Sequence, residues 1–237
     1  MKRLFLLSLF VAASFSHLLA QNFLKGLVNY SKTTEAYLTL NDGTEYTGTI
    51  YNFEFEKGLI IKLKFKINGE KRQFNSSEIK SLYIPSFGLE EMISNASEEI
   101  NIIEWNDDYS IHAPFIKSGY EYYESSEVIL KNKKVIVLLQ LINPGFANGI
   151  KVYSDPLSRR TFSAKVKGYI VAGGFLKSYY FKKGNEAAFK LSKDNLKENR
   201  QRLFGDCPEL FEKYGKDLSW FDIEKLVFFY SENCNKI

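Results

Sequence analysis

At 237 residues and 45% apolar content, the chain has room for one large or two small domains around a substantial core. Its formal charge of +4 falls to +2 once residues 1–20 are set aside, with 30 basic residues against 28 acidic, which makes no electrostatic case for a nucleic-acid partner. One histidine, His112, and two cysteines, Cys207 and Cys234, then remain. That is too few for a typical zinc site, and it leaves any Ser-His or Cys-His nucleophile dependent on His112. No catalytic residue, cofactor motif or metal-ligand set is assigned.

Lys2 and Arg3 precede an apolar run from Leu4 to Ala13, and small and polar residues lead to Leu18-Leu19-Ala20 before Gln21. This is the layout of a secretory signal peptide, with an apolar run too short to span a bilayer comfortably. The expected mature chain begins at Gln21 and is exported to the periplasm, cell surface or medium, with no transmembrane segment left after cleavage.

Twenty Phe and fifteen Tyr against two Met favour a β-rich fold. Residues 35–85 carry the clearest pattern. Ala36, Leu38 and Leu40 alternate with polar positions, Asp42-Gly43 marks a tight hairpin, and Thr44 to Asn52 forms the next run. Leu59, Ile61, Leu63, Phe65 and Ile67 alternate with Lys62, Lys64 and Lys66, the period of a strand with one wet face. Asn68-Gly69 turns into Lys71 to Phe74, Ser77 to Ser81 suits one helical turn, and Leu82-Tyr83-Ile84 ends at Pro85. Five short strands in so few residues predict a small barrel. The stretch from Leu38 to Ile50, with Asp42-Gly43 at its turn and Gly48 at its bend, resembles the opening of an Sm-like or SH3-like barrel in shape only; none of the RNA-binding function of Sm-like proteins is carried over.

Residues 86–108 read as a linker or amphipathic helix between two units. A second β-rich unit is expected over 109–191. Tyr120, Tyr122 and Tyr123 lie in one strand and Val128-Ile129-Leu130 in the next, with a turn at Asn132-Lys133. Val135 to Ile142, apolar apart from Gln140, is the pattern of a strand covered on both faces. Asn143-Pro144-Gly145 and Asp155-Pro156 are turns, Gly173-Gly174 a bend, and Gly184-Asn185 a last hairpin. From Ser192 the period becomes 3.6. A helix carrying Leu196, Leu203 and Phe204 stops at Gly205, Asp206 with Glu209 reads as a capping box, and Ile223, Leu226, Val227 and Tyr230 form the stripe of a third helix. The expected class is α+β, mostly β: a small N-terminal barrel, a second β-rich unit and a helical segment over 192–237.

The run from Val137 to Cys207 resembles a group of exported Bacteroidota proteins through Leu138-Leu139-Gln140-Leu141-Ile142-Asn143-Pro144, Val152-Tyr153-Ser154-Asp155-Pro156 and Ser178-Tyr179-Tyr180-Phe181-Lys182-Lys183-Gly184. The resemblance implies an outer-compartment or surface protein and no reaction.

Among candidate sites, Glu90-Glu91, Glu98-Glu99 and Asp107-Asp108 are carboxylate pairs. A glycosidase needs carboxyls roughly 5 to 10 Å apart across the scissile bond, whereas adjacent carboxylates usually point apart, so a solvated face is the better reading. His112, near Asp107 and Asp108, suits a packed ring with one hydrogen bond better than a base. Tyr179, Tyr180, Phe181, Lys182 and Lys183 form a candidate ligand surface of rings and cations for a glycan or another polymer, the expected partner being an envelope polymer or a protein, although alternation requires one face of that strand to be core. Cys207 and Cys234 are expected to form a disulfide in an oxidising compartment, joining the start of one helix to the end of the next. A pair of buried free thiols is the competing reading. The expectation is an exported, non-catalytic binding or envelope-associated module. The alternative is a secreted hydrolase whose carboxylate pair the sequence does not identify.

Overall fold

The computed structural model describes residues 23–27, 29–86, 112–159, 163–166, 169–173 and 176–234. The protein is α+β and mostly β. The expected signal segment, the carboxylate pairs at 90–91, 98–99 and 107–108, and nearly all of the expected linker lie outside the described residues.

Strands β1 (Ala36–Leu40), β2 (Glu45–Glu56), β3 (Leu59–Ile67), β4 (Glu70–Asn75) and β5 (Ile79–Pro85) follow one another through short turns. Gly43 and the pairs Lys57-Gly58 and Asn68-Gly69 take positive φ, as tight hairpins require. A 3-10 turn at Ser76–Glu78 leads into β5. After the short helix α1 (Ala113–Lys117) come β6 (Tyr120–Leu130) and β7 (Lys133–Gln140). The turn between them is Lys131-Asn132, both at positive φ, one residue earlier than expected.

The expected partition into two β units does not match the pairing. The seven-stranded antiparallel sheet runs β2-β1-β5-β6-β7-β3-β4, and β2 also pairs with β3. Strands β6 and β7, expected in the second unit, therefore fill the gap between β5 and β3. The ring is not a formally closed barrel, because β7 meets β3 through a single residue pair, Ile60 and Leu138. Without β6 and β7, β5 would present an open edge and β3 would lose its pairing at Ile60.

Inside the ring lie Leu38, Ile50, Phe53, Ile60, Leu63, Phe65, Leu82, Ile84, Tyr123 and Leu138. The alternation in β3 places Leu59, Ile61, Leu63 and Phe65 in the interior, and of these Leu63 and Phe65 are there. The other two, Leu59 and Ile61, pack on the outer face. The cause is a bulge: Glu54 pairs with Lys62 and Phe55 with Ile60, so Ile61 has no partner on β2 and the alternation inverts. Gly48 lies so close to the Lys66 carbonyl and the Phe65 ring that a Cβ there would collide with both.

Strands β8 (Ile150–Ser154), β11 (Ser178–Lys183) and β12 (Phe189–Ser192) make a second sheet in the order β12-β11-β8, while β9 (Ser163–Val166) and β10 (Tyr169–Gly173) form a separate ribbon. One face of the second sheet, with Tyr153, Tyr180 and Ala188, packs on the outer face of β6 and β7 through Val128, Val137, Leu139 and Leu141. The other, with Val152, Tyr179, Phe181 and Leu191, meets the helices α2 (Leu196–Phe204), α3 (Pro208–Tyr214) and α4 (Ile223–Asn233). The layers are thus ring, sheet and helices.

Asp206 does not cap α3. The cap position is Cys207 with Pro208 next, and Asp206 instead accepts hydrogen bonds from Lys183 Nζ (2.6 Å) and Tyr230 Oη (2.8 Å). Gly205 ends α2 at a helical φ of −65°, so positive φ is not its role. It sits tightly against Gln201, where a side chain has no room. A disulfide joins Cys207 to Cys234, with a Cα–Cα distance of 5.4 Å, as expected.

Candidate functional site

The ring is capped at one end by an extended N-terminal segment. The Leu24 amide donates to the Ile142 carbonyl (2.7 Å), Ser31 N donates to the Pro85 carbonyl (2.9 Å), and Phe23 packs edge-on to Tyr179. Between these anchors the segment crosses Gln140. The Leu27 amide donates to Gln140 Oε1 (2.8 Å), while Gln140 Nε2 donates to the Lys25 carbonyl (3.0 Å) and to Glu121 Oε2 (2.5 Å). Gln140 is buried at 3% exposure, so these bonds supply the partners that its amide requires.

Under this segment lies a cavity of about 400 Å³. Leu27 and Tyr30 of the segment form one wall, Phe53, Phe55 and Ile60 of the β2–β3 hairpin a second, and Leu138 of β7 a third. Phe55 is 57% exposed and forms a lip, and Phe53 stacks edge-on with both Phe55 and Tyr30. Gln140 and Ser154 give the apolar lining a polar end. Its size and chemistry are those of a small-molecule site: apolar walls with a few fixed polar groups.

Glu121 stands behind Gln140. Burial pushes its carboxyl up to about 7, against the opposing effect of the Gln140 hydrogen bond. Tyr123, on the same face of β6, is raised above the usual phenol range by burial and then by Glu121. The sequence marks Gln140 as the one polar residue in an apolar run. Glu121 carries no such mark, because a carboxylate between tyrosines suits a solvated strand face equally well.

A second polar group lies between ring and sheet. Glu124 accepts from Lys151 Nζ (2.8 and 2.9 Å) and from Tyr153 Oη (2.6 Å). His112, at the start of α1 and not in a strand, stacks on Tyr122 at 3.9 Å, and its Nδ1 bonds Tyr83 Oη at 2.6 Å. Burial lowers its pKa first, with Glu124 opposing and Lys151 adding.

The expected ligand surface on β11 is not exposed. Tyr179, Tyr180 and Phe181 are all buried, because β11 is central in its sheet and covered on both sides. Lys182 and Lys183 are half-buried, with Lys183 held by Asp206 and the Leu203 carbonyl. Cys207, Cys234 and Glu209 offer atoms within 4.8 Å of one another, but the disulfide leaves no thiolate to bind a metal. Comparison of the chain with protein-family models, curated proteins and solved structures finds no match.

Proposed function

We propose that the protein is an exported, non-catalytic binding module that holds a small apolar ligand in the cavity at the capped end of the ring. The cavity carries this reading. It is large enough for a ligand and walled mostly by Leu, Ile, Phe and Tyr, with Gln140 and Ser154 among its few polar residues. The disulfide suits an oxidising compartment. The hydrolase alternative gains little from β6: Glu121 shares a strand face with Tyr123 inside the ring, and Glu124 is on the opposite face.

The test is titration of the purified protein with N-phenyl-1-naphthylamine, a neutral apolar fluorophore. Saturable binding at one site is expected, weakened by Phe55→Ala at the lip and blocked by Leu138→Phe within the wall. A melting curve checks that each variant is folded. Absent or non-saturable binding, or binding indifferent to both substitutions, would overturn the proposal.

A further inference from the structure

The outer face of β2, β3 and β4, on the other side of these strands from the cavity, has a different chemistry. Lys62, Lys64 and Lys66 project from alternate positions of β3, so their points of attachment repeat at about 7 Å along the strand. Lys71 of β4 pairs directly with Lys66. A second bulge sits opposite them: Thr49 pairs with Lys66, Ile50 with Phe65, and Asn52 with Lys64, so Tyr51 is the extra residue. It turns outward into the lysine row, and its ring is 46% exposed. A bulge that re-aims one side chain is a recurrent device beside functional surfaces.

Lys71 Nζ stands 3.8 Å from the centre of the Tyr51 ring. The Tyr51 phenol is lowered from its ordinary value, chiefly by Lys71 and, against the opposing effect of burial, by Lys64 and Lys32. Against the four ammonium groups of Lys62, Lys64, Lys66 and Lys71, the ion pairs described on this face supply one carboxylate, Glu54, shared by Lys62 (3.3 Å) and Lys64 (2.8 Å). The near-neutral net charge of the chain conceals this local excess.

We propose that this face binds a linear acidic polysaccharide, its carboxylates or sulfates running along the lysine row past Tyr51. A regular line of cations along a strand on the outside of the ring matches a polymer with repeating charge better than a single anion, which would need a converging pocket. Lysine presents point charges without the fixed fork of arginine, as suits a polymer gripped along its length. With an ammonium over its face, the Tyr51 ring is poorly placed to stack an unpaired base or enter a bilayer, which disfavours nucleic acid and membrane as partners.

The experiment is binding of the full chain to immobilised alginate and dextran sulfate, with neutral dextran, anionic phosphatidylglycerol vesicles and a DNA oligonucleotide in parallel. Binding to the acidic polysaccharides is expected at roughly 0.05 M salt and should be lost by roughly 0.5 M, where exposed charges are screened. The double variant Lys66→Glu/Lys71→Glu should bind roughly tenfold or more weakly. Lys131→Glu/Lys133→Glu, on the β6–β7 hairpin, should bind as the wild type does. Unchanged melting temperature and N-phenyl-1-naphthylamine binding would show that the Lys66/Lys71 variant is folded. No polysaccharide binding, equal loss in both variants, or preference for the vesicles or DNA would each overturn the proposal.

Discussion

Gln140 is the residue on which most of the cavity's construction converges. Its amide holds the N-terminal segment from both sides and also holds Glu121. Gln140→Ala would leave the Leu27 amide and the Lys25 carbonyl without protein partners, at a cost of about 2–4 kcal/mol measurable by urea unfolding. Glu121 makes stability depend on pH. Its pKa is about 7 in the folded protein against an ordinary 4.5, so between those values the native state binds more proton than the unfolded chain. Its contribution is therefore greatest below about pH 4.5, falls as pH rises through the window, and is gone above about 7. Glu121→Gln should flatten the wild-type decline between pH 5 and 8 and raise stability at pH 8 by about 1–3 kcal/mol. Urea unfolding of both proteins at the two pH values measures this, and an unchanged slope would mean that Glu121 is ionised throughout.

At the scale of elements, hairpins and helices follow closely from local chemistry. The turns at Gly43 and Asn68-Gly69 fall where their dipeptides place them, and the 3.6 period yields three C-terminal helices. Bulges were not legible. Nothing in Leu59 to Ile67 announces that Ile61 loses its partner, since an apolar run reads alike with either phase. Burial on both faces also escaped the sequence at Tyr179-Tyr180-Phe181: alternation assigns faces but does not say what covers them. Leu63→Ala, at an interior position of β3, should cost about 2–5 kcal/mol, and Lys64→Ala on the outer face less than about 0.5. Equal sensitivity would mean that the inside–outside alternation of β3 at these positions is wrong. Among the helices, reducing the Cys207–Cys234 bond should destabilise by about 3–4 kcal/mol, the chain-entropy value for a separation of 27 residues. Thiol labelling of unreduced, denatured protein should find no reactive group.

The whole molecule is a ring, a sheet and a helical layer built around β6 and β7, which complete the first and carry the second. This long-range pairing was the part of the fold least visible in sequence, because residues 35–85 have the strand count of a complete small barrel. A fragment of residues 21–86 should therefore lack a cooperative urea transition, its β5 edge being open and its ring unclosed, whereas the full chain should unfold in one step. The cavity also exists only in the whole, with walls from the N-terminal segment, the β2–β3 hairpin and β7. Methyl NMR of the full chain, titrated with N-phenyl-1-naphthylamine, tests cavity binding most directly. Shifts confined to methyls that line the cavity, Leu27, Ile60 and Leu138 among them, with Leu203, Leu210 and Leu226 of the helical core unmoved, are the result expected. Shifts centred on the helical core, or none at saturating probe, would contradict it.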